Sequence, residues 1–248
     1  MNQAFRVDGD AYDDFMGRYA IELAPLFADF AGVEAGERVL DVGAGTGALT
    51  AEAITRGAVV AAADPSPEFV AELRARFPGL EVEQAPAESL PWAAGVFDVA
   101  LAQLVIAFVS DGPAAVAELA RVARRVAVCM WGIEEVDMFA AIGRTAVAIG
   151  APELAEPNRY RTAQEIHDLL APHGDVESAE LDVQAGYEDF EAFWRTLGRG
   201  AGPAGQWFAA LDAETRGRAH DELFRQVGSP DGPFELRARA YASAVTPA

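Results

Sequence analysis

Three glycines alternate with small residues in the segment Gly43-Ala44-Gly45-Thr46-Gly47, directly after a short strand predicted at 38–42. Glycine lets the backbone approach a ligand where any Cβ atom would clash, and a helix that starts after such a turn offers unpaired N–H groups. The pattern therefore predicts a binding site for a flat or polar ligand at this turn. Its backbone would be supplied by Gly43, Ala44, Gly45 and Gly47.

The spacing of the glycines does not by itself separate two classes of ligand. Gly43, Gly45 and Ala48 also satisfy the dinucleotide pattern G-x-G-x-x-G/A. Asp41 separates the two, because a carboxylate just before the loop would repel an anionic pyrophosphate but attract the ammonium and sulfonium groups of S-adenosyl-L-methionine. We therefore expect S-adenosyl-L-methionine as the cofactor, with a nicotinamide-dependent oxidoreductase as a less favoured alternative.

The elements that must position this turn alternate between strand and helix. Alternation of this kind predicts βαβ units and a parallel sheet, whose first strand leads into the ligand-binding turn. We expect an α/β fold that is Rossmann-like and doubly wound, with a mostly parallel seven-stranded sheet and a helical cap. The predicted strands are 38–42, 58–63, 80–84, 96–102, 125–131, 176–185 and 234–245, and the predicted helices are 49–56, 67–77, 114–123, 138–149 and 163–170.

The remaining segments complete a single domain that spans residues 1–248. Aromatic and leucine residues at helical spacing predict one or two lead helices within 1–35, which Pro25 should break or kink. The cofactor-binding core is 36–131, and 163–186 and 230–248 are its remaining elements. We interpret 132–162 and the largely helical stretch 187–229 as cap insertions over the carboxyl edge of the sheet.

Two motifs resemble one enzyme family. Val39-Leu40-Asp41-Val42-Gly43-Ala44-Gly45-Thr46-Gly47 is similar to the glycine motif of the class I S-adenosylmethionine-dependent methyltransferases. Ala87-Glu88-Ser89-Leu90-Pro91-Trp92 resembles a segment of the small-molecule branch that includes the ubiquinone and menaquinone methyltransferases, the type 11 kind. The resemblance covers roughly residues 12–131. It implies methyl transfer to a small molecule by in-line displacement.

The resemblance also implies positions for the parts of the cofactor. Asp64, at the end of the second strand and before Pro65, would accept hydrogen bonds from both ribose hydroxyls, the alternative being an Asx turn. Ala87 and Glu88 would face the adenine ring, and Gln103 would lie under the methionine portion.

Other positions follow the family less closely. Tyr12 and Arg18 lie in a segment that looks like the lead helix of one subgroup, where Arg18 would meet the cofactor carboxylate and Tyr12 would close over it. A surface arginine and a core-packing tyrosine are the alternatives. Pro86 replaces the usual aspartate of the adenine segment, so Glu88 or a backbone carbonyl would have to serve as the acceptor. Two histidines that often follow the fourth strand are replaced by Ala107 and Phe108.

Methyl transfer from a sulfonium needs alignment and exclusion of water more than a reactive side chain. A general base is needed only if the acceptor loses a proton, and His173 is the first candidate. We predict no metal site, because an acidic solvated turn explains Glu134, Glu135 and Asp137 better than a magnesium site. Aromatic residues of the cap favour an apolar or aromatic acceptor. A cofactor-binding cyclase or ligand sensor without methylation is the alternative.

Composition excludes several partners. The 248 residues carry 39 acidic and 19 basic side chains, a net charge of −20 that disfavours nucleic acid and anionic membranes. The longest apolar run, 99–109, is too short to span a membrane, and no secretory signal is evident. The single cysteine, Cys129, should be a buried hydrophobe. We therefore expect a cytoplasmic protein with a small-molecule substrate, as a monomer or homodimer.

Overall fold

The computed structural model describes residues 13–151, 159–198 and 202–247. The chain divides into two compact units. The larger unit comprises Ala20–Gly132, Asn158–Leu181 and Ala240–Ala248, and the smaller unit comprises Met1–Tyr19, Ile133–Pro157 and Asp182–Arg239.

The strands of the described residues form one seven-stranded sheet of order β3-β2-β1-β4-β5-β7-β6. The five strands from β3 to β5 are mutually parallel. Ser178 hydrogen-bonds to Ser243, and Asp182 hydrogen-bonds to Arg239. Because the residue numbers rise along β6 as they fall along β7, these two strands run antiparallel. The strands are β1 Arg38–Val42, β2 Val59–Asp64, β3 Glu81–Gln84, β4 Phe97–Gln103, β5 Ala123–Val136, β6 Val176–Tyr187 and β7 Phe234–Val245. The predicted fold class is confirmed.

Helices fill most of the remaining described chain. A π-helical turn, Asp13–Gly17, leads directly into α1. The helices are α1 Arg18–Phe30, α2 Ala48–Thr55, α3 Pro67–Arg76, α4 Gly112–Val122, α5 Asp137–Ile149, α6 Ala163–Leu170, α7 Phe190–Leu197, α8 Gly202–Ala210 and α9 Ala213–Gln226, with a short 3-10 turn at Ala171–His173.

Local sequence determines where several elements begin. The buried residues of β1 and β2 are apolar except for Asp41 and Asp64, as expected for strands of a parallel sheet that is covered on both faces. Ser66 caps α3 by accepting a hydrogen bond from the Phe69 N–H at 3.3 Å, and Pro67 occupies the first turn, where its missing N–H costs nothing. The predictions for β1, the start of α3, α6 and β7 are confirmed.

One expectation about the lead helices was wrong. Pro25 does not break a helix, because α1 runs through it, and a kink at this position stays a prediction. The residue whose carbonyl loses its partner, Ile21, is 56% exposed and can be solvated, while Leu23 and Phe27 are fully buried and stabilise the continuous helix. The stretch 187–229 is largely helical, as predicted, since three separate helices follow the end of β6 at Tyr187.

Aromatic rings form the centre of the smaller unit. Phe190 contacts Phe193, Trp194 and the His220 ring, with centroids 5.0 to 6.2 Å apart, and Trp194 packs edge-on against Phe208 at 4.8 Å. The residues at helical spacing in α7 therefore pack as core. The interpretation of 132–162 and 187–229 as a cap stays a prediction.

Candidate functional site

The turn after β1 is fastened to the end of β2. Gly43 and Ala44 both donate their N–H groups to the Ala63 carbonyl, at 2.7 and 3.1 Å. Gly43, Gly45 and Gly47 all have positive φ angles, of 70°, 55° and 91°. Only glycine adopts such angles without strain. The turn is thus a rigid backbone loop between two adjacent parallel strands.

The three glycines are needed for different reasons. A Cβ atom on Gly43 would lie 2.4 Å from Cγ2 of Val105, and one on Gly47 would lie 2.5 Å from Cε2 of Phe77. A Cβ atom on Gly45 would meet no protein atom within 4 Å. Packing inside the protein therefore requires the outer two glycines, whereas Gly45 leaves an open place beside the backbone. Such an open place is what a bound cofactor needs.

Asp64 ties the loop to the next helix. Its Oδ2 accepts a hydrogen bond from the Gly45 N–H at 2.9 Å, and its Oδ1 accepts one from the Ser66 N–H at 2.9 Å. The carboxylate is almost fully buried, which raises its pKa, while the two backbone hydrogen bonds lower it. The Asx turn is therefore present. Each carboxylate oxygen has a further lone pair, so Asp64 can also accept hydrogen bonds from the ribose hydroxyls, and that role stays a prediction.

Asp41 lies inside the larger unit, 1% exposed, beneath the loop. Its Oδ2 accepts a hydrogen bond from the Thr50 hydroxyl at 2.6 Å. Burial raises the pKa of this carboxyl to about 7, the Thr50 hydrogen bond lowers it, and the charge of Asp64 raises it further. Thr50 is a site residue that the sequence analysis missed. Its hydroxyl in the first turn of the helix after the glycines was the available signal.

This burial predicts a pH-dependent stability. The folded pKa of Asp41 lies above its ordinary value of 3.8, so the folded state holds a proton that the unfolded chain has released. The contribution of Asp41 to stability should therefore fall as pH rises from about 4 to about 7, by up to about 4 kcal/mol. The melting temperatures of the wild type and Asp41→Asn, compared at pH 5 and pH 8, should diverge in favour of the variant at pH 8. An equal difference at both pH values would contradict the prediction.

Gln103, the last residue of β4, points one amide atom at protein and leaves the other without a partner. Its Nε2 donates to the Ala20 carbonyl at 3.0 Å. Its Oε1 is buried and has no hydrogen-bond partner among the described residues. A buried acceptor oxygen without a partner suits an ammonium group, such as that of the methionine portion of S-adenosyl-L-methionine.

The residues of the adenine segment are positioned by backbone contacts. Glu88 Oε1 accepts hydrogen bonds from the Ser110 and Asp111 N–H groups at 2.6 and 3.1 Å, which fixes the turn before α4. Ala87 is buried, and the Pro65 carbonyl accepts from Gln84 at 3.3 Å. Contact of Ala87 and Glu88 with the adenine ring stays a prediction.

The other candidate residues lie elsewhere. Arg18, in the smaller unit, donates from Nη1 to the Gly186 carbonyl at 3.0 Å and lies over the Tyr187 ring at 5.1 Å. Its expected contact with the cofactor carboxylate stays a prediction, and Tyr12 lies outside the described residues. His173 ends the 3-10 turn before β6, and a Cβ on its neighbour Gly174 would meet the Thr246 carbonyl at 2.9 Å. His173 therefore lies before the start of β6, whereas the glycine loop lies after the end of β1. The role of His173 as a base stays a prediction.

Neither a metal cluster nor a membrane helix is found in the part of the chain that the structure describes. No group of three or more His, Cys, Asp or Glu side chains there could hold a metal ion. None of the helices there is both long and apolar enough to cross a membrane. Cys129 is buried and unpaired with another cysteine, and burial raises the pKa of its thiol.

Comparison with known proteins places this geometry in a family. A family model described as a methyltransferase domain matches residues 40–130. An uncharacterized protein of Mycobacterium tuberculosis is 31% identical over 185 residues, which cover 60% of this chain and 68% of that protein. A demethylmenaquinone methyltransferase of Beutenbergia cavernae is 38% identical over 96 residues, which cover 39% of this chain and 40% of that protein.

This chain matches only part of some other relatives. It is 41% identical over 107 residues to further uncharacterized Mycobacterium proteins, and the match spans 39% of their length. The solved structure of a presumed type II methyltransferase from Anaeromyxobacter dehalogenans aligns with a TM-score of 0.66 and 22% identity over 90% of this chain and 95% of that one, and it shares the fold. With the glycine loop, the matched domain and the seven-stranded sheet, the chain belongs to the class I S-adenosylmethionine-dependent methyltransferases of the type 11 kind.

Proposed function

We propose that the protein binds S-adenosyl-L-methionine at the glycine loop and transfers its methyl group to a small apolar or aromatic molecule. The observation that carries the proposal is the open place beside Gly45, with Asp64 hydrogen-bonded to the Gly45 N–H and Asp41 buried beneath the loop. This arrangement presents backbone and carboxylates to a ligand that is cationic at one end and carries hydroxyls at the other.

When bound, S-adenosyl-L-methionine would supply a methyl group on a positively charged sulfur, which would keep the electron pair of the broken carbon–sulfur bond as the acceptor takes the methyl group. The residues of this chain hold and orient. The Gly45 backbone and Asp64 would hold the ribose end. The Gln103 Oε1 would accept from the ammonium end, and Asp41 would attract that end once its carboxyl group, with a pKa of about 7, is ionised.

One observation supports the proposed acceptor class. The demethylmenaquinone methyltransferase relative is named for a quinone acceptor. The net charge of −20 supports the further proposal that neither nucleic acid nor an anionic membrane is a partner.

Calorimetric titration of the full chain tests the cofactor. We expect one equivalent of S-adenosylmethionine or S-adenosylhomocysteine to bind, and NADH to give no binding heat, because the Asp41 carboxylate opposes a pyrophosphate. Tight binding of NADH with no response to S-adenosylmethionine would contradict the proposal. Mass spectrometry of quinone and phenol acceptors incubated with protein and cofactor then tests methylation. Unmethylated acceptors throughout would indicate a protein that uses the cofactor without transferring its methyl group.

A further inference from the structure

The hydroxyl group of Tyr187 is buried without an acceptor for its proton. Tyr187 is the last residue of β6 and is 3% exposed. Among the described residues, no group accepts a hydrogen bond from this hydroxyl. Buried polar groups in native proteins are nearly always paired, because desolvation without a partner costs free energy. The Tyr19 hydroxyl is hydrogen-bonded to that of Tyr187, so what Tyr187 lacks is an acceptor for its own proton. At the carboxyl end of a strand, where α/β sheets bind ligands, this lack points to a missing acceptor.

Neighbouring side chains fix the direction of this hydroxyl. Phe234 stacks on the Tyr187 ring with centroids 5.5 Å apart and planes 26° apart. Phe193 packs edge-on against the same ring at 5.0 Å. The Arg18 guanidinium lies 5.1 Å from the ring centre and is anchored by its bond to the Gly186 carbonyl. The donor is therefore preorganised, which lowers the entropy cost of binding a ligand.

The electrostatic environment selects an oxygen acceptor rather than a cation. Burial raises the pKa values of Tyr187 and of its neighbour Tyr19, so both hydroxyls stay protonated at neutral pH. The positive charge of Arg18 lowers the pKa values of both tyrosines, while the negative charge of Asp137 raises that of Tyr19. A guanidinium at this distance disfavours an ammonium ligand and favours a carbonyl, carboxylate or phenolate oxygen.

We propose that the Tyr187 hydroxyl, with Tyr19 and Arg18 beside it, binds the oxygen atom of a small aromatic molecule within the smaller unit. The ring of that molecule would suit the aromatic surroundings, and its carbonyl, carboxylate or phenolate oxygen would accept the unpaired proton. Identification of this molecule with the methyl acceptor rests on the proposed function. The binding site itself does not.

Two matched probes test the site in the full chain saturated with S-adenosylhomocysteine. 4-Nitrophenolate carries the anionic oxygen, and 4-nitroanisole has the same ring with that oxygen methylated and neutral. We expect Tyr187→Phe to weaken binding of 4-nitrophenolate by about tenfold or more, because a hydrogen bond to a charged acceptor is lost, and to change 4-nitroanisole binding less than about twofold. The control is Tyr241→Phe, which removes a hydroxyl from the part of β7 that belongs to the larger unit. It should leave both affinities unchanged.

Every other result overturns the proposal in a defined way. Equal affinity of 4-nitrophenolate for Tyr187→Phe and wild type, or no binding to wild type, refutes the site. A large fall in melting temperature with unchanged probe affinity would assign the hydroxyl a structural role, such as holding a buried water. If Tyr187→Phe does not fold, Arg18→Gln provides the second test, and an unweakened 4-nitrophenolate affinity in that variant refutes the proposal.

Failure of the proposed function gives a different result. If the chain does not bind S-adenosylmethionine, the proposed function fails while the probe comparison, made without added S-adenosylhomocysteine, still stands or falls alone. If the cofactor binds and the probes do not distinguish Tyr187→Phe from wild type, only the site is refuted.

Discussion

Replacement of Asp64 by alanine is expected to weaken binding of S-adenosylmethionine by more than tenfold and to destabilise the fold. The carboxylate accepts hydrogen bonds from the Gly45 and Ser66 N–H groups, so its removal leaves two partly buried donors unpaired. The stability loss should be about 2–5 kcal/mol, which corresponds to a fall of roughly 5–15 °C in melting temperature for a chain of this size. Calorimetry and thermal denaturation measure the two effects separately.

A matched control removes a carboxylate that lies outside the site. Asp29 is a well-exposed partner of Arg56 at 2.6 Å, and Asp29→Ala should cost at most about 1 kcal/mol with unchanged cofactor affinity. If Asp64→Ala bound S-adenosylmethionine as tightly as the wild type, the ribose assignment of Asp64 would be wrong and its role would be confined to the turn.

Alanine at Gly45 and at Gly43 should have opposite consequences. At Gly45 the new Cβ meets no protein atom, so the fold should lose only the roughly 1–2 kcal/mol of a left-handed alanine. Cofactor affinity should nevertheless fall more than tenfold, because the methyl group occupies the open place beside the loop. At Gly43 the Cβ would lie 2.4 Å from Val105, and stability should fall by a further 1–3 kcal/mol of overpacking.

A second substitution separates clash from ligand exclusion. Val105→Ala removes both Cγ atoms against which the Gly43→Ala methyl group packs, so it should recover part of the stability of that variant. The same change should not restore cofactor binding to Gly45→Ala. Wild-type affinity in Gly45→Ala would show that the cofactor does not occupy this place.

Local patterns predicted the parts of the site that depend on neighbouring residues. The glycine loop, the end of β1 and the Ser66 cap each follow from a few consecutive residues, and the structure has them where the sequence indicates. The seven-stranded sheet also follows, because strand and helix alternate and parallel strands require helical crossovers.

Contacts between distant residues could not be predicted. The use of Glu88 to hold the Ser110 and Asp111 amides depends on a side chain reaching across the fold. Pairing of Tyr19 with Tyr187 joins residues far apart in the chain. Pro25 was misjudged for the same reason, since burial of Leu23 and Phe27 against the rest of the protein outweighs the local cost of a proline in a helix.

The way the two units share the chain has a consequence for folding. Each unit is assembled from three separate stretches, and the chain passes between the units five times before β7 is complete. No single cut in the chain releases either unit whole. Residues far apart in the chain must come into contact before either hydrophobic core is complete, which slows folding. A substitution that destabilises one unit, even one far from the glycine loop, should therefore reduce the fraction of chains in which the other unit folds.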